Sequence, residues 1–376
     1  MQIAQVNVPA DLIHFGVGQP GFDLLPLDLL RRAAAHRLGQ DEPALLQYGL
    51  ETGSGYFRQA LAGFLSQGYG TAVSPDHLFT TNGISQALDM LCTLLTRPGD
   101  TIFVEDPTYF LALDIFRDHH LRIISLPVDD DGLIVEALEE KLQAEKPVFV
   151  YTIPTFQNPS SVTLSLSRRQ RLVELSQTHG FYVLADEVYQ LLDYTAVPPQ
   201  RLFHVSDRSR VISLGSFSKI LAPGLRLGWI EAAPALLEQL TASGLLQSGG
   251  GLNPFTAEIV RSLLEQGWQT EFLTRLKAVY RSRAAALSRA LHHYLPDAEF
   301  AEPDGGFFIW VKLPQVADTA VLLEQLRPYH VAYHPGLKFS AQQGLRQFLR
   351  LSFAFYDEAA LEEGVRRLQV GLAALV

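Results

Sequence analysis

The chain has 376 residues, 47% hydrophobic and 19% charged, with a formal net charge of −10. That length suits two domains, or one large domain with an appendage, and the composition can bury a large core. The acidic balance and the dispersed basic residues exclude a binder of phosphate backbones, so nucleic acid is not an expected partner.

The N-terminal stretch MQIAQVNVPADLIHF has no basic segment followed by an apolar run, so no secretory signal is expected. No stretch approaches the roughly 18 apolar residues that span a membrane. The expectation is a soluble, cytoplasmic protein without a membrane partner. Gly16-Val17-Gly18-Gln19-Pro20-Gly21 satisfies the GxGxxG pattern, with Asp41 further on. A dinucleotide site is nevertheless set aside, because Pro20 biases Gln19 away from helix and no strand–helix–strand unit follows. Cys92 is the single cysteine; it excludes an intrachain disulfide and a multi-cysteine metal site, and fits a reducing compartment.

From residue 78 to 231, short apolar runs alternate with helix-like stretches. Strands are expected at 78–80, 101–104, 122–125, 148–153, 182–185, 211–214 and 227–230. Helices are expected between them, among others at 85–95, 133–143, 167–179 and 235–243. This alternation predicts an α/β fold with a mostly parallel, doubly wound sheet of seven strands. An amphipathic charged segment, 275–294, then leads into strand-like GGFFIWVKL, VAYHPG and FLRLSFAF and a last helix at 358–375. That texture suggests a smaller α+β domain. The large domain is placed at 46–274, and residues 1–45 are grouped with 275–376 as the small one.

Ligands of open α/β sheets sit at the carboxyl ends of the strands. After 148–153 come Gln157-Asn158-Pro159; after 182–185, Asp186-Glu187-Val188-Tyr189; after 211–214, Ser216-Phe217-Ser218-Lys219 and then Arg226. The chain has six lysines against 24 arginines, and Lys219 alone is set among apolar and small residues. A lysine in such a pocket, near a cation such as Arg226, has a lowered pKa and becomes a nucleophile. The plainer reading is a junction lysine with its head in water. Plainer readings also exist for Asp186 as a helix cap, Asn158 as a turn former and Tyr109 as a core aromatic. Arg350, inside FLRLSF, is a charge that would be expensive to bury unpaired. The loop Asn82–Ser85, between strand and helix, can hold an anion.

SFSKILAPGLRLGW closely resembles the lysine segment of the class I/II aminotransferases, the fold type I pyridoxal-phosphate enzymes. FQNPSS, ADEVY and FLRLSFA resemble the family's other signatures in order and spacing, and the resemblance covers nearly the whole chain. It implies pyridoxal 5'-phosphate carried on Lys219 as a Schiff base. Asp186 would keep the ring nitrogen protonated, while Tyr189 and Asn158 address the ring oxygen. Tyr109 would stack on the ring. Ser216 and Arg226 would anchor the phosphate, helped by Ile84 and Ser85. Arg350 would fork the substrate α-carboxylate, with Gly18 and Asn158 beside it. Tyr48 would reach the neighbouring subunit's phosphate in a homodimer.

The implied reaction is transamination between an L-amino acid and a 2-keto acid, Lys219 moving the proton. The alternatives are a lyase performing β-elimination from a cysteine-type substrate, and a regulatory or binding protein on the same scaffold. For the latter, no basic helix-turn-helix segment precedes the domain. His330 and His334, His119-His120 and His292-His293 show no ligand spacing, and no metal is expected. The Ser248–Gly251 run is a flexible connector or a substrate-facing loop. Ser161 stands where the family usually has glycine, which puts the local turn geometry in question. No second arginine is assigned to a dicarboxylate side chain, so aromatic, branched-chain and 2-aminoadipate-like donors all stay open.

Overall fold

Short apolar runs bounded by turn residues build the centre of the molecule. In the computed structural model, which describes residues 2–3, 6–195, 198–205 and 208–375, they form one eight-stranded sheet. In chain order its strands are β1 (Leu78–Thr81), β2 (Thr101–Asp106), β3 (Arg122–Asp129), β4 (Gly132–Leu133), β5 (Phe149–Thr152), β6 (Tyr182–Asp186), β7 (Val211–Ser216) and β8 (Gly228–Glu231). In space the order is β1-β8-β7-β6-β5-β2-β3-β4. The five strands from β7 across to β3 are parallel neighbours. β8 runs antiparallel to β7 and β1, and β4 folds back on β3.

The seven longer strands lie where the sequence predicts them; the two-residue β4 is an addition. Gly132, at φ +91°, turns the chain back on β3, so Leu133 pairs in the sheet and the helix expected from 133 starts at Val135. Every residue of β5 and β7 is buried, as a parallel sheet covered on both faces requires. The two-residue period sorts the side chains. Phe149, Tyr151 and Leu184 join the main core, while Val150, Val183 and Ala185 join a second core on the other face.

A second, three-stranded sheet is antiparallel, with β11 (Phe348–Ser352) between β9 (Phe308–Lys312) and β10 (His334–Pro335). Ile13–His14 pairs in parallel with Val331–Ala332 and ties the N-terminal segment to this region. The helix Trp268–Tyr294 starts behind Gly267, at φ +72°, earlier than the expected 275. Its buried stripe already includes Phe272 and Leu273, so the helix runs unbroken through residue 275. Among the described residues, no helix is long and apolar enough to cross a membrane.

One buried ionic cluster braces the strand ends that matter most. Arg201 meets Glu187 and Glu231, each at 2.7 Å, with all three side chains at most 2% exposed. Its guanidinium lies 4.0 Å over the Tyr69 ring. Glu187 directly follows Asp186, so this cluster fixes the chain where β6 ends. Arg201→Met leaves two carboxylates buried without their cation, and should lower unfolding free energy by about 3–5 kcal/mol in urea titration; a loss under about 1 kcal/mol would show the cluster is slack.

Candidate active site

The carboxyl ends of β2, β5, β6 and β7 border a cavity of about 540 Å³. Lys219, Asp186, Tyr189, Asn158, Tyr109, Ser216, Arg226, Ile84, Ser85, Gly18 and Arg350 all line it. Residues from both ends of the chain and from three successive strand ends therefore meet at one place. Tyr48 does not join them; its side chain is 85% exposed on the same protomer.

Lys219 follows β7, and its Nζ donates to the Gly18 carbonyl at 2.6 Å. Removal from water, then the nearby Arg350 and Arg226 charges, lower its pKa from 10.5 to about 8; Asp186 opposes the shift. Asp186 closes β6. Its Oδ2 accepts from the Tyr151 hydroxyl at 2.8 Å and its Oδ1 from the Val188 N–H at 3.3 Å. Burial raises this carboxyl to about 6, against the pull of those two bonds and of Lys219. Tyr189 packs on Phe307 and Phe308, and burial holds its phenol well above the ordinary range. Burial likewise pushes Tyr109 up to about 12.

Arg350 occupies the middle strand of the small sheet, opposite Trp310 on one side and His334 on the other. Its Nη1 donates to Asn158 Oδ1 at 2.8 Å and its Nη2 to the Gly16 carbonyl at 2.9 Å. The guanidinium lies 3.9 Å over the Phe308 ring. Among the described residues no carboxylate pairs with it; its neighbours are neutral oxygens and aromatic faces. Burial accordingly lowers its pKa to about 10. A guanidinium held this way keeps its charge for an incoming carboxylate, which it can bind bidentately.

The other end of the cavity suits a phosphate. The helix Ile84–Leu95 begins directly after Gly83, exposing its first N–H groups beside Ser85. Arg226 adopts a left-handed backbone, φ +47°, and its Nη2 donates to the Asn82 carbonyl at 3.2 Å. A Cβ on Gly83, itself at φ +89°, would stand 3.1 Å from that Nη2; glycine serves here for both backbone freedom and close approach. Ser216 Oγ accepts from the Ser218 N–H at 3.1 Å and donates to the Ser218 hydroxyl at 2.9 Å. Helix N–H groups, hydroxyls and a guanidinium can hold a phosphate dianion. The carboxyl of Asp186, the phenol of Tyr189 and the amine of Lys219 supply what a pyridinium aldehyde needs. The donor set fits pyridoxal 5'-phosphate.

Residues 10–368 match the aminotransferase class I and II family. The chain belongs to that family. It is 36% identical to aromatic-amino-acid aminotransferase 1 of Thermococcus litoralis, over 96% of this chain and 87% of that one. It is 33% identical to the 2-aminoadipate transaminase of Thermus thermophilus, over 97% and 91%. Among solved structures, a multiple substrate aminotransferase from Thermococcus profundus superposes with a TM-score of 0.91 at 34% identity, covering 100% of this chain and 96% of that one. The protein is thus a fold type I aminotransferase that uses pyridoxal phosphate to move amino groups between amino acids and keto acids.

The structure adds residues to this aminotransferase site that the sequence did not single out. Tyr151 holds Asp186 from inside β5, and Phe308 and Phe110 form aromatic walls. The glycine-rich 16–21 segment leads only into a single 3-10 turn at Phe22–Leu24, and its Gly16 and Gly18 carbonyls accept from Arg350 and Lys219. Ser161 sits at φ +62°, and its hydroxyl donates to the Phe308 carbonyl, tying the Asn158 loop to β9. Left-handed backbone costs a residue with a Cβ about 1 kcal/mol, and that bond returns a similar amount. Ser161→Ala, which keeps the strain and loses the bond, should therefore destabilise by about 1 kcal/mol, while Ser161→Gly stays within about 0.5 kcal/mol of wild type. Equal losses for both variants in denaturant titration would refute the offset.

Proposed function

We propose that this cavity transfers the amino group with Lys219 as cofactor-bearing lysine and proton carrier, and Arg350 as the fork for the substrate α-carboxylate. The observation that carries the reading is the meeting in one cavity of buried Lys219, whose Nζ donates to the Gly18 carbonyl, and Arg350, which among the described residues has no carboxylate partner. When bound, pyridoxal phosphate supplies an electron sink for the negative charge left on the substrate α-carbon.

The residues do the rest. Asp186 would keep the ring nitrogen protonated; its buried position and the Tyr151 hydrogen bond hold it in place. Tyr189 and Asn158 would hold the ring oxygen of the cofactor, and Tyr109 would support its ring. Ile84, Ser85, Ser216 and Arg226 hold the phosphate. Arg350, with Asn158 and the Gly18 backbone, orients the α-carboxylate. The Lys219 amine, near neutrality on its pKa scale, takes the α-proton at Nζ and returns it to the acceptor carbon. The Phe110, Leu111, Phe308 and Leu88 walls exclude water from that transfer.

The cations lining the cavity are Lys219, Arg226 and Arg350, and each has a role. We therefore assign apolar and aromatic L-amino acids as donors, with a 2-keto acid as acceptor; a relative is named for aromatic amino acids. A second reading has its own observation. Lys338 does not line the cavity, but its Nζ lies 4.1 Å over the ring of Phe110, which does, and among the described residues no carboxylate pairs with it. An acidic side chain of the 2-aminoadipate kind, as another relative's name carries, would meet it there.

Tyr48, Leu46, Leu50, Tyr56, Leu245 and Phe255 are exposed, and Gly251 N–H donates to the Gly49 carbonyl, joining the Tyr48 loop to the glycine-rich one. Such an apolar surface supports a homodimer in which Tyr48 serves the neighbour's phosphate site. We assign the enzyme to the cytoplasm, and residues 46–274 and 1–45 with 275–376 to its two functional halves.

Phenylalanine, leucine, 2-aminoadipate and aspartate, each mixed with holoenzyme without a keto acid, test the reading. Active donors should convert the pyridoxal spectrum stoichiometrically to the pyridoxamine one, and Lys219→Ala should abolish conversion. Arg350→Lys should raise KM by about 10- to 100-fold, the worth of a charged bidentate contact. Donor consumption without the spectral change would overturn transamination in favour of elimination.

A further inference from the structure

We propose that His14 is a positioning residue for the carboxylate fork: its Nδ1 accepts the Gly16 N–H and so sets where the Gly16 carbonyl meets Arg350. The inference rests on the reading of Arg350 as the α-carboxylate fork.

The geometry begins at the backbone. Gly16 N–H donates to His14 Nδ1 at 2.9 Å, while the Gly16 carbonyl accepts from Arg350 Nη2 at 2.9 Å. Two residues on, the Gly18 carbonyl accepts from Lys219 Nζ at 2.6 Å. The segment 14–18 thus presents carbonyls to Lys219 and Arg350, and the imidazole of His14 anchors it locally. His14 is itself fixed: its N–H donates to the Tyr356 hydroxyl at 2.9 Å, and its strand residues pair with Val331–Ala332.

A second imidazole closes the frame. His334 stands directly opposite Arg350 in the β10–β11 ladder, and its ring meets the His14 ring edge-on at 5.7 Å. A Cβ on Gly16 would stand 2.5 Å from His14 Cε1 and 2.9 Å from His334 Cε1. Any side chain at this position would strike both rings, so glycine is what lets the backbone pass beside them. An acceptor Nδ1 requires the neutral ring with its proton on Nε2. Burial first, then the Lys338 and Arg350 charges, lower the His14 pKa to about 4, which keeps the acceptor in place through neutral pH.

A ring serving only as packing would be replaceable by any side chain of similar size. A positioning ring must keep an acceptor at the Nδ1 place, which asparagine supplies through Oδ1 and leucine does not. The experiment compares wild-type, His14→Asn and His14→Leu holoenzymes. It measures calorimetric binding of 3-phenylpropionate and of adipate, carboxylates without an amino group, beside kcat and KM for the best donor. His14→Leu should weaken carboxylate binding and raise KM by about 10-fold with kcat changed by less than about 3-fold, while His14→Asn stays within about 3-fold of wild type throughout. If His14→Leu does not fold, His14→Gln, whose acceptor lies one bond further out, replaces it with the same expectation of weaker binding. Equal behaviour of the acceptor-keeping and acceptor-lacking variants, with wild type binding normally, overturns the positioning role alone. Wild type binding neither carboxylate overturns the Arg350 fork and this inference together.

Discussion

Three cations, Lys219, Arg226 and Arg350, line one cavity with a single lining carboxylate, Asp186, and that imbalance shapes the site. Burying like charges together is unfavourable unless one of them gives up its proton readily. Arg350 cannot, so the burden falls on Lys219, whose amine is driven towards neutrality. Asp186 limits the drift, since its charge favours the ammonium form. The same arrangement leaves Arg350 supported by an amide oxygen, a carbonyl and aromatic faces rather than by an anion. A substrate carboxylate would supply the missing charge.

The scaffold makes this arrangement affordable by fixing each participant through a different part of the chain. β6 and the Arg201 cluster hold Asp186; the β7 exit holds Lys219; the middle strand of the small sheet holds Arg350. The N-terminal segment then reaches Lys219 and Arg350 with backbone carbonyls. Because these supports belong to separate elements, the site forms only when the large sheet, the small sheet and the N-terminal segment are all in place.

Much of this was legible in the sequence, for physical reasons. Strands buried on both faces read as unbroken apolar runs, so most of the longer strands stood out. Lys219 stood out as a lysine set among apolar and small residues, and Arg350 as a charge in an apolar strand. What was not legible depends on partners far along the chain. Tyr151 looks like any core aromatic of a buried strand; its function lies in a hydrogen bond to a residue 35 positions away. Gly16 and Arg350 are 334 positions apart, and no local pattern marks a carbonyl as an arginine's partner. Strand β4 escaped notice because Leu133 opens what reads as a helix, and the positive-φ Gly132 before it decided between the two.

The charge imbalance can be measured at its centre. With cofactor removed and lysine nitrogens isotopically labelled, an NMR titration assigned by Lys219→Arg reads the Lys219 amine directly. The account predicts a pKa near 8 in wild type, a higher value in Arg350→Gln, where a neighbouring cation is gone, and a lower one in Asp186→Asn. A Lys219 that titrates at the ordinary 10.5, or that ignores the loss of Arg350, would contradict it.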